Sequence, residues 1–480
     1  MQKKELPQWV LKYKTKGTEI HTTKSGYYLY KISSKWNPDK KRAQKITERY
    51  LGMITPEGLI KSKHERIVDE MKEITVKEFG ATQYMLGISS DIIDIVKKCY
   101  PLEWEDIMTF SITRLFYTSP LKNVSTIYST SHLSDAFPNA RTSGRSLSEM
   151  LYSIGSRREK ANIFMKHFVE GSEFSIVDLT HVFTKSDGIV SATISHNSEG
   201  EYTPQVNLIL LMSLDNMHPS FFRIVPGSIR DVSTIPLTLK EAGVKRAILI
   251  GDKAFYSAKN VEYLEDHKLG YVLPIKRTSS FIDYGPLETG NRKNLDGFFL
   301  FDERVIWYYE RKQDDNKRLI VFQDERLRVE EEKDMITRVD KGSKELNDYY
   351  KRQYILGTIG VFTNTDFTAQ RVFELLKGRI EIELLFDTFK NLLHADRSYM
   401  RDDIHLEGWM MINFVSLLLY YKIYEQLTKY EILKTYSPMD VIIHLSRIHK
   451  LQIGGKWIIS EIPKSSRKLL EHLDYKVHIT

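Results

Sequence analysis

The spacing of hydrophobic residues changes along this chain of 480 residues, and each change indicates a different kind of structure. Residues 26–32 (GYYLYKI) are aromatic and β-branched, which is typical of a strand, and a polar stretch follows them. Farther along, apolar side chains recur at helical spacing, as Ile92 and Val96 do. The sequence therefore predicts a β-hairpin region at 1–60 and a mainly helical region at 61–171.

From Glu173 onward the apolar residues come in short runs. Several strand-like runs are followed by a helix that ends near Gly243, the strand RAILIG, a helix that begins near Ser257, and the strand GYVLPI. Strands in series followed by strand–helix alternation predict a mixed sheet flanked by helices, which is a mixed α/β fold. We assign this domain to residues 172–277 and 359–428.

The alternation stops between residues 278 and 358. Two strand-like runs flank the turn-like QDDNK, and a highly charged segment follows them. We expect a β-rich insertion with its own β-structure at 278–358 and a helical region at 429–480. Gly408–Tyr421 is an uncharged run of 14 residues, too short to span a bilayer, so it is expected to form a buried helix.

The composition is that of a globular protein, with 41% hydrophobic and 28% charged residues. Cys99 is the only cysteine, which excludes an intramolecular disulfide and a Cys-rich zinc site and is typical of a reducing cytosol. The first residues, MQKKELPQWV, contain no apolar stretch of signal-peptide length. We therefore expect a cytoplasmic protein that does not enter a membrane.

Positive charge is concentrated at the beginning of the chain. Residues 1–49 hold thirteen Lys or Arg against four acids, whereas the formal charge of the whole chain is only +7. A segregated basic segment favours a polyanionic partner, and nucleic acid is the commonest one. The alternative is a basic surface that only improves solubility. The DNA-binding candidates in this segment are Lys40, Lys41, Arg42 and Lys45, and the helical region at 61–171 is a second candidate DNA-binding domain.

Arg379, Glu383 and Lys390 lie four and seven residues apart. On a helix these side chains fall within roughly 40° of one another, so that a carboxylate lies between two cations. The arrangement suits a metal ligand beside phosphates, although a solvated ion-pair face has the same pattern. Glu381 points about 160° away from Glu383, so it is expected to face solvent or a neighbouring element.

Two aspartates accompany the predicted sheet. Asp178 interrupts an apolar strand, where an unpaired carboxylate costs several kcal/mol, and Asp252 directly follows the strand AILIG. Either one alone also fits a structural role in a turn. Together with Glu383 they supply three carboxylates, the oxygen ligands that two Mg²⁺ ions prefer. The sequence shows no HExxH zinc motif, and His181 and His196 are expected to be structural.

Several runs in this half of the chain resemble a known family. They are SIVDLTHV, GSIRDVST, ILIGDKAFYSAKN, GRIEIELLFDTFKN and YMRDDIHLEGWMMINF, and together they span roughly residues 170–425. They resemble DDE-type insertion-sequence transposases of bacteria and archaea, in the subgroup with a Tyr-x2-Arg-x3-Glu-x6-Lys signature. The resemblance differs at Leu376, where the signature has Tyr, and at Ala254, where the family usually has Gly.

The resemblance implies an RNase H-like catalytic domain with a β-rich insertion. It implies that Asp178, Asp252 and Glu383 are the catalytic metal ligands, for two Mg²⁺ ions that Mn²⁺ can replace, and that Arg379 and Lys390 approach DNA. It also implies a prokaryotic, nucleoid-associated homodimer that acts on double-stranded DNA, with terminal inverted repeats and a target as substrates. In the insertion, Trp307, Tyr308 and Tyr309 either pack in strands or stack on a base.

The implied function is a DNA transposase that hydrolyses a phosphodiester at the element's end and then joins the freed 3′-hydroxyl to target DNA. Two alternatives remain open at this stage. One is a metal-dependent nuclease of the same fold that lacks strand transfer. The other is a catalytically silent DNA-binding relative; the presence of all three acids argues against it, whereas Leu376 and Ala254 keep it open.

Overall fold

An antiparallel sheet with a small core of its own begins the chain. The computed structural model describes residues 6–38, 40–72, 74–118, 120–196, 202–229, 234–244, 248–251, 253, 256–313 and 317–478. Val10, Leu29 and Ile54 form the buried core of the sheet. Its elements are α1 (Gln8–Leu11), β1 (Thr18–Thr23), β2 (Gly26–Asn37), β3 (Arg42–Thr55), β4 (Gly58–Lys61) and α2 (Lys63–Lys72), with the four strands paired in chain order.

Helices predominate in the next part of the chain, where helical spacing predicted them. Residues Asp106–Phe116 within its longest helix are all buried, which is why the apolar pattern there covers every face of the helix. The elements are β5 (Thr75–Glu78), α3 (Gly80–Ile88), α4 (Ser90–Cys99), α5 (Trp104–Tyr117), α6 (Val124–Ser129), α7 (Leu133–Ala136), α8 (Gly144–Gly155) and α9 (Arg158–Val169).

The central sheet follows. Its elements are β6 (Phe174–Thr184), β7 (Thr193–His196), β8 (Tyr202–Ser213), β9 (His218–Pro226), α10 (Ile235–Ala242), β10 (Ile248–Ile250), α11 (Ala258–Asp266) and β11 (Gly270–Ile275). The five principal strands lie in the order β9-β8-β6-β10-β11. β8 pairs antiparallel with both β6 and β9, and β10 and β11 run parallel to β6. This is the RNase H-like arrangement, so the predicted fold class is confirmed.

The insertion contributes three strands in its described residues, as its predicted β-rich character requires, but these strands extend the central sheet and do not form a separate one. Its elements are α12 (Gly285–Glu288), β12 (Gly297–Phe301), β13 (Arg304–Lys312), β14 (Arg318–Asp324), α13 (Glu325–Asp340) and α14 (Leu346–Arg352), and β15 (Thr358–Thr363) follows. The strands pair in the order β12-β13-β14-β15-β11. Tyr309 is buried in this sheet, whereas Trp307 is half-buried beneath the Arg292 guanidinium, 5.2 Å from its ring centre.

The highly charged segment of the insertion is helical. Its charges alternate in sign at a spacing of four residues, and Arg326 pairs with Glu330, and Arg328 with Glu332, each at 3.1 Å. Pairs of this spacing stabilise an exposed helix. The Asp324 side chain accepts hydrogen bonds from two backbone amides of the first turn and thereby caps α13.

The C-terminal part contains a hairpin as well as the expected helices. Its elements, with those that precede it, are α15 (Ala369–Gly378), α16 (Ile380–Asp387), a π-helical turn (Thr388–Leu392), β16 (Arg397–Ser398), α17 (Asp403–Lys429), α18 (Pro438–Leu445), β17 (His449–Ile453), β18 (Lys456–Ile459) and α19 (Lys464–His472). Gly454 and Gly455 turn the hairpin at positive φ, and β17 pairs with the distant β5.

The helix α17 is the buried centre of the molecule. It contacts α5, α8, β9 and the π-helical turn, and its apolar run is buried as the sequence predicted. Two glycines allow α8 and α17 to approach closely: a Cβ on Gly408 would lie 2.1 Å from the Leu151 carbonyl oxygen, and one on Gly155 would lie 1.8 Å from that of Ile404. Among the described residues, no helix has the length and apolarity to cross a membrane.

This close approach predicts that Gly408→Ala lowers the free energy of unfolding by about 2–3 kcal/mol, because the added methyl must push the two helices apart. Urea unfolding followed by circular dichroism measures the effect. Gly144→Ala is the matched control, since its Cβ would meet no atom within 4 Å and alanine is the better helix former. Equal unfolding midpoints for the two variants would contradict the prediction.

A buried carboxylate, Glu78, lies between β5 and α3. Its Oε1 accepts hydrogen bonds from the backbone amides of Ala81 at 2.8 Å and Thr82 at 3.3 Å, and the Thr82 hydroxyl donates to its other oxygen. Burial raises the pKa of Glu78 to about 7, although these hydrogen bonds act in the opposite direction. At neutral pH the folded protein therefore carries the cost of a partly ionised buried acid.

Glu78→Gln should remove this cost while it retains an acceptor for the helix amides. Because the folded pKa is raised above the ordinary value of 4.5, the wild type loses stability relative to the variant as the pH rises from 4.5 to about 7. The difference should reach about 3 kcal/mol and then stay constant. Urea unfolding of both proteins between pH 4.5 and 8 measures it, and a difference independent of pH would contradict the assignment.

Candidate active site

Asp178 lies in the interior of β6, directly after the fully buried Ile176 and Val177, and it is paired across the sheet with Leu210 of β8. Its side chain is 18% exposed. The Oδ1 atom accepts a hydrogen bond from the backbone amide of Leu179 at 2.8 Å. The strand therefore holds the carboxylate in a fixed position at the surface of the sheet.

The predicted helix that carries Glu383 is divided. α15 ends at Gly378, Arg379 joins it to α16 with helical backbone angles, and a π-helical turn follows at Thr388–Leu392. Apolar side chains along this segment hold it against the core. Ile382, Leu385 and Phe389 are fully buried. The Glu383 side chain on the opposite face is 60% exposed.

The Arg379 guanidinium lies between two carboxylates. Its Nη2 atom is 3.8 Å from Oδ2 of Asp178 and 3.6 Å from Oε1 of Glu383. Since both distances begin at one atom, the two carboxylate oxygens are no farther apart than the sum of 3.8 and 3.6 Å. A strand and a helix that are distant in sequence thus bring two predicted site residues together, and a cation lies between them.

This spacing fits the ligands of a pair of divalent ions. Mg²⁺–oxygen distances of about 2.1 Å and an ion separation of about 4 Å allow ligands on different ions to be roughly 8 Å apart. Two carboxylates at this spacing are suitable donors for hard cations. Within the described part of the chain, no cluster of three His, Cys, Asp or Glu residues has metal-binding geometry.

The third predicted carboxylate, Asp252, lies outside the described residues, as does Ala254. β10 runs parallel to β6, with Ile250 opposite Ile176. Asp252 follows Ile250 by two residues, as Asp178 follows Ile176.

Glu381 faces a neighbouring element, one of the two outcomes expected from its angle on the helix. Its Oε2 atom is buried, and its backbone oxygen lies 3.5 Å from the Tyr421 hydroxyl of α17. Burial raises the pKa of Glu381. The pKa values of Tyr421 and Tyr424 are raised by burial first and then by the Glu381 charge.

The other candidate residues lie in different places. Lys390 is half-buried in the π-helical turn, so it is not on a regular helix with Glu383. Lys40, Lys41 and Arg42 are exposed near the tip of the β2–β3 hairpin, and Lys45 pairs with Glu19 at 2.5 Å. His181 is structural, as expected, because its Nδ1 lies 2.8 Å from Oδ1 of Asn207.

Sequence reasoning missed Arg114, a buried cation that holds the end of the Glu383 segment. Its Nε donates to Oδ1 of Asn413 at 2.7 Å, and its Nη2 donates to the carbonyl oxygens of Leu393 and His394. Burial lowers the pKa of Arg114 to about 10. The sequence signal for this role is a single arginine in the apolar run of α5, because an arginine is rarely buried unless it has hydrogen-bond partners.

Residues 170–419 match the family described as "Transposase DDE domain". Among solved structures, the chain is similar to one titled as the cryo-EM structure of a piggyBac transposase synaptic complex with hairpin DNA. The identity is 13% and the TM-score 0.40, and the match covers 72% of this chain and 70% of that one. No curated protein matches the chain.

The position of Arg379 predicts that Arg379→Gln binds Mn²⁺ more tightly than the wild type. Removing a cation that lies near two carboxylates should favour a metal ion there by about 1 kcal/mol, or roughly fivefold in affinity. Calorimetric titration of the DNA-free protein with Mn²⁺ measures the change. Arg371→Gln is the control, because Arg371 pairs with Glu374 at 3.3 Å on the same helical segment. Unchanged or weaker Mn²⁺ binding in the Arg379 variant would contradict the prediction.

Proposed function

The chain belongs to the transposase DDE domain family, and from that membership we propose that it is a DNA transposase. In this proposal it hydrolyses a phosphodiester at the end of a mobile element and joins the freed 3′-hydroxyl to target DNA. Its substrates are double-stranded terminal inverted repeats and a target duplex. It acts in a prokaryotic cytoplasm, associated with the nucleoid, as a homodimer on paired ends.

One observation carries the proposal: Asp178 and Glu383 converge on the Arg379 guanidinium at the surface of an RNase H-like sheet. A solvent-exposed ion pair would also explain the Arg379–Glu383 spacing. Such a pair does not require Asp178, from a distant strand, to lie beside the same guanidinium. Asp252 completes the proposed triad, and the parallel pairing of β10 with β6 supports this assignment.

Each residue has a distinct task in the proposed reaction. Asp178 is held by its strand and would hold a metal ion that positions the scissile phosphate. Glu383 is exposed and can turn towards substrate, while Ile382 and Leu385 anchor its helix. Two Mg²⁺ ions, or Mn²⁺ in their place, activate the attacking oxygen and stabilise the leaving one when bound.

Arg379 and Lys390 are proposed to contact the DNA backbone beside the reacting phosphate. The guanidinium of Arg379 presents several donors in a plane, which suits a phosphate as well as a carboxylate. When the carboxylates hold metal ions, the same side chain becomes available to substrate phosphate. Arg114 has an indirect role: its hydrogen bonds hold the backbone after the π-helical turn and thereby position the helix of Glu383.

Two alternatives are distinguished by the joining step. A metal-dependent nuclease of the same fold would cleave the element's end without strand transfer, whereas a silent relative would bind DNA and do neither. The retention of Asp178, Asp252 and Glu383 favours an active enzyme, and Leu376 is the substitution in the described site that favours a silent one. An assay that scores both nicking and 3′-end joining separates the three.

Glu383→Gln should lower strand cleavage at least about 100-fold, because the amide replaces an anionic metal ligand. Glu381→Gln, two residues away on the same helix, should retain cleavage within a few-fold because its side chain faces α17. The substrate is a labelled duplex carrying the DNA end that flanks the reading frame, with Mg²⁺ or Mn²⁺ present. If Glu381→Gln lost activity while Glu383→Gln kept it, the assignment would be wrong.

A further inference from the structure

The β2–β3 hairpin projects beyond the N-terminal sheet as a two-stranded ribbon, defined here as residues 32–47. β1 pairs with β2 only as far as Lys31, and β4 pairs with β3 only from Gly52. Between these limits, β2 and β3 pair with each other from Ile32 opposite Thr47 to Asn37 opposite Arg42. Nearly every described side chain of the ribbon is exposed, on both faces.

The ribbon and its base carry a strong positive charge. Residues 31–49 contain seven Lys or Arg against two acids. One of those acids, Glu48, lies at the base, where it pairs with Lys31 at 3.4 Å. A projecting and positively charged element is complementary to a polyanion, although this one also exposes Trp36 and Ile46.

The pairing register separates the ribbon's side chains into two chemically different faces. Residues that are paired across a ribbon share a face, and successive residues alternate between faces. One face, the amide face, carries Lys35, Asn37, Arg42 and Gln44, and Nδ2 of Asn37 donates to Oε1 of Gln44 at 3.0 Å. The opposite face carries Trp36 and Lys45. Hence the amides and the aromatic ring cannot meet the same surface together.

The dimensions and chemistry of the amide face match the major groove of DNA. That groove is about 12 Å wide and admits a two-stranded ribbon, whereas the minor groove is about 6 Å wide. Six residue pairs at about 3.4 Å each span about 20 Å along the ribbon. Asn and Gln pair with adenine edges in the major groove, and Arg and Lys pair with guanine edges.

We propose that the ribbon enters the major groove of duplex DNA with the amide face towards the bases. Lys35, Asn37, Arg42 and Gln44 then read base edges, while Lys40 and Lys41 at the tip contact phosphates. Sequence recognition therefore belongs to the amide face, and the general affinity for DNA belongs to the tip. The inference rests on the proposed function only in taking DNA as the partner.

These separate roles of the amide face and the tip can be tested by selection from a library of duplexes with a randomised 20-bp window. The full-length protein is used throughout. The wild type should enrich one motif. Asn37→Ala/Gln44→Ala should lose discrimination at particular positions of that motif, by roughly tenfold at each. Lys40→Ala/Lys41→Ala should enrich the same motif, bind all duplexes more weakly, and reduce the dependence of log affinity on log salt by about 2.

Trp36→Ala is the matched control, because it alters the opposite face of the same ribbon and should leave the motif unchanged. Circular dichroism of each variant confirms that the protein is folded. If the wild type enriched no motif, or if the amide variant kept the complete motif, the proposal would be overturned. Preferential binding of single-stranded DNA or of RNA by the wild type would overturn it as well.

Base analogues in the enriched duplex test the groove. Replacement of purines by 7-deazapurines removes an acceptor from the major groove and should weaken wild-type binding roughly tenfold. Replacement of guanine by hypoxanthine removes the minor-groove amino group and should have little effect. The opposite pattern would place the ribbon in the minor groove. Glu383→Gln should bind the motif as the wild type does, so a lack of cleavage would refute the proposed enzyme without refuting the ribbon.

Discussion

The close contact between α8 and α17 is the constraint on which the remaining structure depends. Gly155 and Gly408 let the two backbones touch, because any side chain there would overlap a carbonyl oxygen of the other helix. α17 then packs on α5, on the sheet at β9 and on the π-helical turn. The helix α17 therefore packs against both the helical region and the central sheet, and it fixes their relative position.

Two arginines, the buried Arg114 and the half-buried Arg379, connect these packed elements to the candidate site. Arg114 reaches from α5 to Asn413 of α17 and to the backbone that ends the Glu383 segment. Arg379 then joins that segment to Asp178 of the central sheet. Each of these two cations links elements from different parts of the sequence. Cation contacts therefore act on the candidate site in addition to apolar packing.

Much of this arrangement can be predicted from local sequence. The glycine that ends α10 and the serine that caps α11 lie where capping rules predict them, and the carboxylate within an apolar strand identifies Asp178. The apolar period of the charged segment after Asp324 is too weak to predict a helix, and its i,i+4 ion pairs are the local signal of helicity. The hairpin at Gly454–Gly455 was missed because the pairing of β17 with the distant β5 is a long-range contact. For the same reason, helix periodicity relates Arg379 to Glu383 but cannot place either beside Asp178.

The strands of the insertion have a mechanical consequence. From β12 to β11 the hydrogen-bonded ladder is unbroken, so the insertion and the central sheet share one twisted surface. Such a surface resists bending across its strands, and the insertion cannot swing on it as a separate lobe. The N-terminal sheet, in contrast, has a small core of its own, and its four described strands pair only with one another.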